Sequence, residues 1–168
     1  MPHVKLTDVS KVFGARSRRD RPVTAVDQVS LDIAHGEVFA VIGYSGAGKS
    51  TLVRLINGLE PVTSGTVEID GVPITGLPPQ ELRRQQQGIG MIFQRFNLLR
   101  SRTVAKNVAY PLEVVGMPRA ERRARVAELL DMVSLPTSTM RRYPNELSGG
   151  QRQRVAIARA LALEPSLV

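Results

Sequence analysis

The chain has no cysteine among its 168 residues. Disulfides and thiolate metal sites are therefore excluded, and a zinc-finger fold with them. The absence also fits a reducing compartment. Aromatic residues are scarce at 4%, so the core drawn from the 42% hydrophobic fraction has to be aliphatic. No apolar run approaches the roughly 18 residues that would cross a bilayer. The first residues, Met1-Pro-His-Val-Lys-Leu-Thr-Asp8, hold no apolar signal core. Internal repeats and low-complexity segments are missing too. What remains is one domain's length of ordinary globular sequence.

Acidic residues are also under-represented, which leaves a net charge of +8. The excess is local. Between Glu81 and Ala127 there are ten Lys or Arg against three acids. Aromatics do not interleave with them as they do in single-strand nucleic-acid binders. Two readings stay open: a solvated helix face, or a surface that docks on another protein or on lipid headgroups.

Against these absences stands GYSGAGKS, Gly43 to Ser50, a full match to the phosphate-loop pattern G-x-x-x-x-G-K-[ST]. The apolar run Glu37-Val-Phe-Ala-Val-Ile42 before it reads as a buried parallel strand. After it, apolar residues at 52, 53, 55, 56 and 59 read as one helical face. The glycines thus fall where a strand turns into a helix. A helix N-terminus there offers unpaired N–H groups and partial positive charge to an anion. Gly43, Tyr44, Ser45, Gly46, Ala47 and Gly48 form the loop. Lys49 adds a full charge near the β- and γ-phosphates, and the Ser50 hydroxyl is a Mg²⁺ ligand, with Thr51 beside it. The reading is a nucleotide site.

The rest of the chain supplies its frame. Val4–Phe13 alternates as a half-buried strand, Gly14–Pro22 is a basic loop, and Val23–Ile33 is a second strand ending at the His35-Gly36 turn. Phe13 either stacks on a nucleotide base or is a core or edge residue. Gly58 and Pro61 stop the phosphate-loop helix. Residues 66–70 and 72–74 form a hairpin about Asp70-Gly71, and Pro78-Pro79 opens a helix to about Gln87. Ile89–Phe93 reads as a buried strand that delivers Gln94 to its C-terminal end, where α/β sheets bind ligands. Gln94 there reaches a γ-phosphate or Mg²⁺, or is a plain surface residue. Residues 95–107 read as irregular and then helical through Pro111. Pro118 at N1 starts a helix with Val126, Leu129, Leu130 and Val133 on one face. After a polar connector, Ser148-Gly-Gly-Gln151 precedes the apolar helix Val155–Leu163. That glycine pair is either a second anion site or an ordinary capped helix start.

Leu147-Ser-Gly-Gly-Gln151 behind a phosphate loop resembles the signature motif of ATP-binding cassette (ABC) proteins. The resemblance implies an α/β fold: a P-loop NTPase core with an N-terminal antiparallel β subdomain and an inserted α-helical subdomain. It divides the chain into 1–94, 95–146 and 147–168. It makes Gln94 the residue that senses the γ-phosphate and Mg²⁺, and Phe13 the aromatic on adenine. Ser148, Gly149, Gly150 and Gln151 then complete the ATP site of a second copy, so a homodimer holds two ATP molecules. The basic helical stretch becomes the face that docks on membrane subunits.

Within that family, residues 90–104, 107–113 and 154–162 resemble the ATPase subunits of methionine importers. Polar amino-acid importers share much of this, but Gly14–Pro22 and Leu99-Arg-Ser-Arg-Thr103 favour methionine. The implied partners are integral membrane permease subunits and, through them, a substrate-binding protein. The implied place is the cytoplasmic face of the inner membrane, with no nucleic acid involved. Chromosome and DNA-repair ATPases share both motifs, but they carry a long coiled coil between them, and only 99 positions separate Lys49 from Ser148. Glu164-Pro-Ser-Leu-Val168 resembles the lead into the Walker B strand. The Walker B aspartate, catalytic glutamate, D-loop and switch histidine are not in the sequence, and His3 and His35 do not replace that histidine. The expectation is a partial cassette, inactive and poorly stable by itself, with the side chains of the strand Val38–Ile42 uncovered.

Overall fold

The computed structural model describes residues 3–14 and 21–168. Its packing forms two units, Met1–Gln86 and Gln87–Val168.

The first unit is built on a four-stranded antiparallel sheet. Strand β1 (Val4–Phe13) pairs with β2 (Val23–Ile33), and β3 (Ser64–Ile69) lies on the other side of β1. With β4 (Val72–Pro73) the order is β2-β1-β3-β4. The register runs from Val4 opposite Ile33 to Phe13 opposite Val23, so the expected hairpin forms. Residues 15–20 of its basic tip lie outside the described residues. Strand β1 buries Val4 and Leu6 by alternation and, past a bulge at Asp8, Val9, together with Val26, Ile33, Val67 and Ile69 of its neighbours. Asp70 and Gly71 both take positive φ, 52° and 75°, as a type I′ turn between two strands requires.

Helix α1 (Lys49–Ile56) lies against β1 and β2 and buries Leu52 and Leu55. Burying each of these side chains contributes roughly 1.5–3 kcal/mol. The expected face was wider: Val53 and Leu59 are exposed, because a helix this short turns only a narrow stripe onto the sheet. The chain leaves α1 through Asn57 and a left-handed Gly58. Helix α2 (Pro79–Gln87) buries none of its residues. Its Gln86 amide donates to the carbonyls of Asn57 and Gly58, at 3.2 and 3.1 Å, and closes the end of α1.

Two expected strands are corrected. Residues 37–42 form no strand; Val38 is 97% and Ile42 90% exposed, in line with the expectation of uncovered side chains there. In the stretch 89–93 only Ile89 pairs, in a single parallel bridge to Leu167. Buried parallel strands need neighbours on both edges. Among the described residues none pairs with 37–42.

The second unit is helical: α3 (Val104–Val108), α4 (Tyr110–Val114), α5 (Arg119–Met132) and α6 (Gly149–Ala160). Single 3-10 turns at Thr137–Arg141 and Pro144–Glu146 interrupt the polar connector. Val104, Val108, Leu112, Val126, Leu129, Leu130, Val155 and Ala158 meet in one aliphatic core. Asn107, fully buried, fixes the loop beside it. Its Oδ1 accepts from the Leu99 N–H at 2.7 Å, and its Nδ2 donates to the carbonyls of Leu99, Arg102 and Thr103. Three boundaries differ from expectation. The irregular stretch ends at Thr103, which caps α3. Pro118 is the N-cap of α5 rather than N1. Helix α6 starts at Gly149, in line with the capped start read at the glycine pair, and ends at Ala160, short of the expected Leu163.

Candidate functional site

The phosphate loop closes on itself before it reaches a ligand. The Ala47 N–H donates to the Tyr44 carbonyl at 3.2 Å, and Gly46 and Gly48 take φ of 85° and 84°. Only glycine adopts that backbone freely. Gly48 has a second reason: a Cβ there would sit 2.0 Å from the Ala25 carbonyl oxygen of β2. The hairpin thus backs directly onto the loop and aims the start of α1 outward. The first turn of α1 holds no acidic residue, so its N-terminal field is not neutralised locally. The Lys49 ammonium folds across the loop and donates to the carbonyls of Gly43 and Tyr44, at 2.8 and 2.7 Å. Among the described residues no carboxylate pairs with it. Ser50 is exposed and Thr51 half-buried. Tyr44, at 92% exposure, and Ser45 stand in the open.

A cavity of ≈ 200 Å³ lies between the loop and β2, lined by Ala25, Val26, Ala47, Gly48 and Lys49 among others. A small-molecule cleft occupies about 300–1,000 Å³, so this space takes a phosphate end and not a whole nucleotide. Phe13 ends β1 opposite Val23, two residues from the Ala25 that touches Gly48. It is 40% exposed and lies on an inner strand, so it is neither a core residue nor on a sheet edge. The Lys11 ammonium stands 5.1 Å from its ring centroid and is itself held by Glu60 at 2.7 Å.

Gln94 and the signature segment both lie in the second unit. Gln94 is exposed in a turn. It shares the lining of a ≈ 600 Å³ cavity with Arg95, Arg100, Asn145 and Arg152, so the structure brings it beside the first turn of α6. There the Ser148 hydroxyl accepts from the Gln151 N–H at 3.2 Å, and the Gln151 side-chain oxygen accepts from the Ser148 N–H at 3.0 Å. This reciprocal capping box spends the polar atoms of Ser148 and Gln151 on the helix end. Gly149 and Gly150 face open space, with nothing within 4 Å of where a Cβ would stand.

The sequence reading missed Arg159. Its guanidinium donates to the carbonyls of Phe96 and Asn97, both at 2.8 Å. Those two residues are consecutive and left-handed, at φ 61° and 46°, a conformation that costs non-glycine residues energy. The signature helix therefore braces the turn that follows Gln94. Burial alone pulls the guanidinium below its ordinary pKa. The signal was an arginine on the apolar helix 155–163, a place where a charge needs a built partner.

The profile of the ABC transporter family matches residues 26–168. The chain belongs to the ABC transporter family. The methionine import ATP-binding protein MetN of Nocardia farcinica is 58% identical over 99% of the chain, and MetN 2 of Rhodococcus jostii 60% over 99%. The chain spans 49% and 48% of those two proteins, about half the length of the curated relatives it matches. The solved structure of the ATP-binding cassette MJ0796, a dimeric post-hydrolysis state bound to ADP and Pi, superposes with a TM-score of 0.88. It is 40% identical and covers 96% of this chain and 70% of that one. The fold is thus that of an ABC ATPase, mixed α/β.

Proposed function

We propose that this ABC-family chain is the ATP-binding part of the subunit that powers an amino-acid importer, with methionine as the amino acid. The observation that carries the reading is the phosphate loop itself: a cation without a carboxylate partner, laid across a helix N-terminus whose first turn holds no acid. Those features suit a triphosphate, and the exposed Ser50 hydroxyl suits a hard cation such as Mg²⁺. Residues 43–51 wrap the phosphates, and Lys49 holds the terminal ones. Bound Mg²⁺ supplies charge neutralisation; Ser50 and Gln94 are the side chains proposed to hold it. Phe13, whose ring is 40% exposed, stacks on the base.

Gly149 and Gly150, with open space before them and Ser148 and Gln151 holding the helix end, receive the ATP of a second copy. The dimeric state of the MJ0796 neighbour supports that pairing. The division into 1–94, 95–146 and 147–168 follows these roles. The chain's partners are membrane permease subunits and a substrate-binding protein, and its place is the cytoplasmic face of the inner membrane, a reading supported by the relatives' names as import proteins. No helix among the described residues is long and apolar enough to cross a membrane.

The test is genetic. Deleting the gene should abolish high-affinity methionine uptake. Restoring it should recover uptake, and restoring it with Lys49→Ala should not. Intact methionine uptake in the deletion strain would reject the substrate; full rescue by Lys49→Ala would reject the nucleotide site.

A further inference from the structure

The chain has only two histidines, His3 and His35, and they are 32 positions apart. The fold brings both to one carboxylate oxygen. His3 precedes β1, His35 lies in the turn after β2, and Asp70 opens the turn between β3 and β4. His3 Nδ1 is 2.6 Å and His35 Nε2 is 2.8 Å from Asp70 Oδ1. The two rings stand 4.1 Å apart, tilted by 34°. The three ligand-type atoms lie within 4.8 Å of one another. Three chain segments are needed to make this group, and neither residue of the nucleotide site nor of the signature segment takes part.

The chemistry of the donors points one way. His3 is buried, and its Nε2 has no hydrogen-bond partner. An imidazole ligates a metal through an unprotonated ring nitrogen. The hydrogen bond from His3 is the main influence that holds the Asp70 carboxyl below its ordinary pKa, with both imidazoles adding to it. Asp70 is thus ionised at neutral pH, as a ligand must be.

Position is fixed as well. The Asp70 N–H donates to the His3 carbonyl at 2.8 Å, and the His3 N–H to that of Ile33 at 2.7 Å. The turn that carries His35 is tied by the Glu37 carboxylate, which accepts from the Ala34 N–H at 2.8 Å. Three ligands around a tetrahedral ion at about 2.0–2.1 Å stand roughly 3.3 Å apart. From Asp70 Oδ1 the His3 separation needs to open by about 0.7 Å, a shift that falls to the half-exposed Asp70 side chain, and the His35 separation by about 0.5 Å. The His35 side chain, 65% exposed, is free to move that far.

We propose that His3, His35 and Asp70 form a binding site for a borderline-soft divalent cation, for which Zn²⁺ is the best match to two imidazole nitrogens and one carboxylate oxygen. Three protein ligands leave the fourth position to water. Mg²⁺ favours oxygen ligands and octahedral geometry, so millimolar Mg²⁺ of the kind that accompanies ATP does not compete. The ion joins the start of β1, the end of β2 and the β3–β4 turn. It also fixes the His35-Gly36 turn, from which residues 37–42 run into the phosphate loop.

Titrate the chain with Zn²⁺ alone by calorimetry, in non-chelating buffer with excess Mg²⁺, and follow the thermal midpoint in parallel. One Zn²⁺ per chain and a rise in the midpoint are expected. His35→Ala should weaken Zn²⁺ binding at least tenfold and remove the rise, while its midpoint without Zn²⁺ falls only slightly, by the little that an exposed contact with Asp70 contributes. Asp70→Asn should weaken binding by a similar factor. Absence of binding to the parent chain would overturn the proposal, as would Zn²⁺ binding that His35→Ala leaves unchanged.

Discussion

The two units solve the problem of burying aliphatic side chains to different degrees. In the second, Val104, Val108, Leu112, Leu129, Leu130 and Val155 are all fully buried. The first closes one side of its sheet as completely, with Val4, Leu6, Val9 and Val67 at 1% exposure or less. Yet the same unit leaves Val38, Ile42 and Tyr44 at 90% or more. Helices make their hydrogen bonds within themselves and need only packing. A strand such as 37–42 needs partners for its backbone as well. The lesson is that the signature segment rests on a finished core, while the segment leading to the phosphate loop has a scaffold on one side only.

Substitutions can break or sharpen this contrast. The largest effect is expected in the closed core: Leu129→Ala should lower stability by about 2–5 kcal/mol, read by chemical denaturation. A loss below about 1 kcal/mol would mean that the helical unit is as loosely packed as the loop segment. Next comes Arg159→Met, which keeps the apolar stem and removes both bonds to the left-handed turn. A charged donor lost from two carbonyls is expected to cost about 1.5–3 kcal/mol. Proteolysis near Asn97 should rise in step; unchanged cleavage there would show that the turn holds itself.

Ser148→Ala should cost about 1 kcal/mol through the lost cap of α6, measured by thermal unfolding. The smallest effect belongs to Val38→Ser, expected to lie within about 0.5 kcal/mol, because the side chain already faces solvent. A large loss from Val38→Ser would show that residues 37–42 are covered and would remove the contrast altogether.

Much of this was legible in the sequence, and the reason differs by element. The hairpin ends at Val4, Phe13, Val23 and Ile33 were readable because period-2 alternation is a local signal set by the pleat. The Asp70-Gly71 turn was readable from its residue types, since both positions need positive φ. The phosphate loop showed through glycines that its backbone demands. Residues 37–42 and 89–93 were read too strongly as strands, although the exposure of Val38 and Ile42 agrees with the expectation of uncovered side chains. An apolar run states what a segment could bury, not whether a neighbour is there to cover it. Arg159 and the convergence of His3, His35 and Asp70 could not be read, because they depend on contacts spanning 32 to 67 positions and no local pattern encodes them. Ser148 and Gln151 were visible as a motif, but the capping box that occupies their side chains emerges only from geometry.

The bridge between Ile89 and Leu167 also sets a timetable. Around it the Gly90 N–H donates to the Leu167 carbonyl at 2.7 Å, and the Ser166 N–H to the Gly88 carbonyl at 3.0 Å. Ser166 and Gly88 are 78 residues apart. Closing a loop that long carries an entropic penalty before any contact offsets it, so the pairing cannot lead folding. The four helices between its ends are local and form on microsecond scales. Once packed, they shorten the effective loop and carry the two ends toward each other. The parallel pairing is therefore a late event on the folding path, gated by the helical core. A defect at Leu129 would delay it even though that residue touches neither strand end.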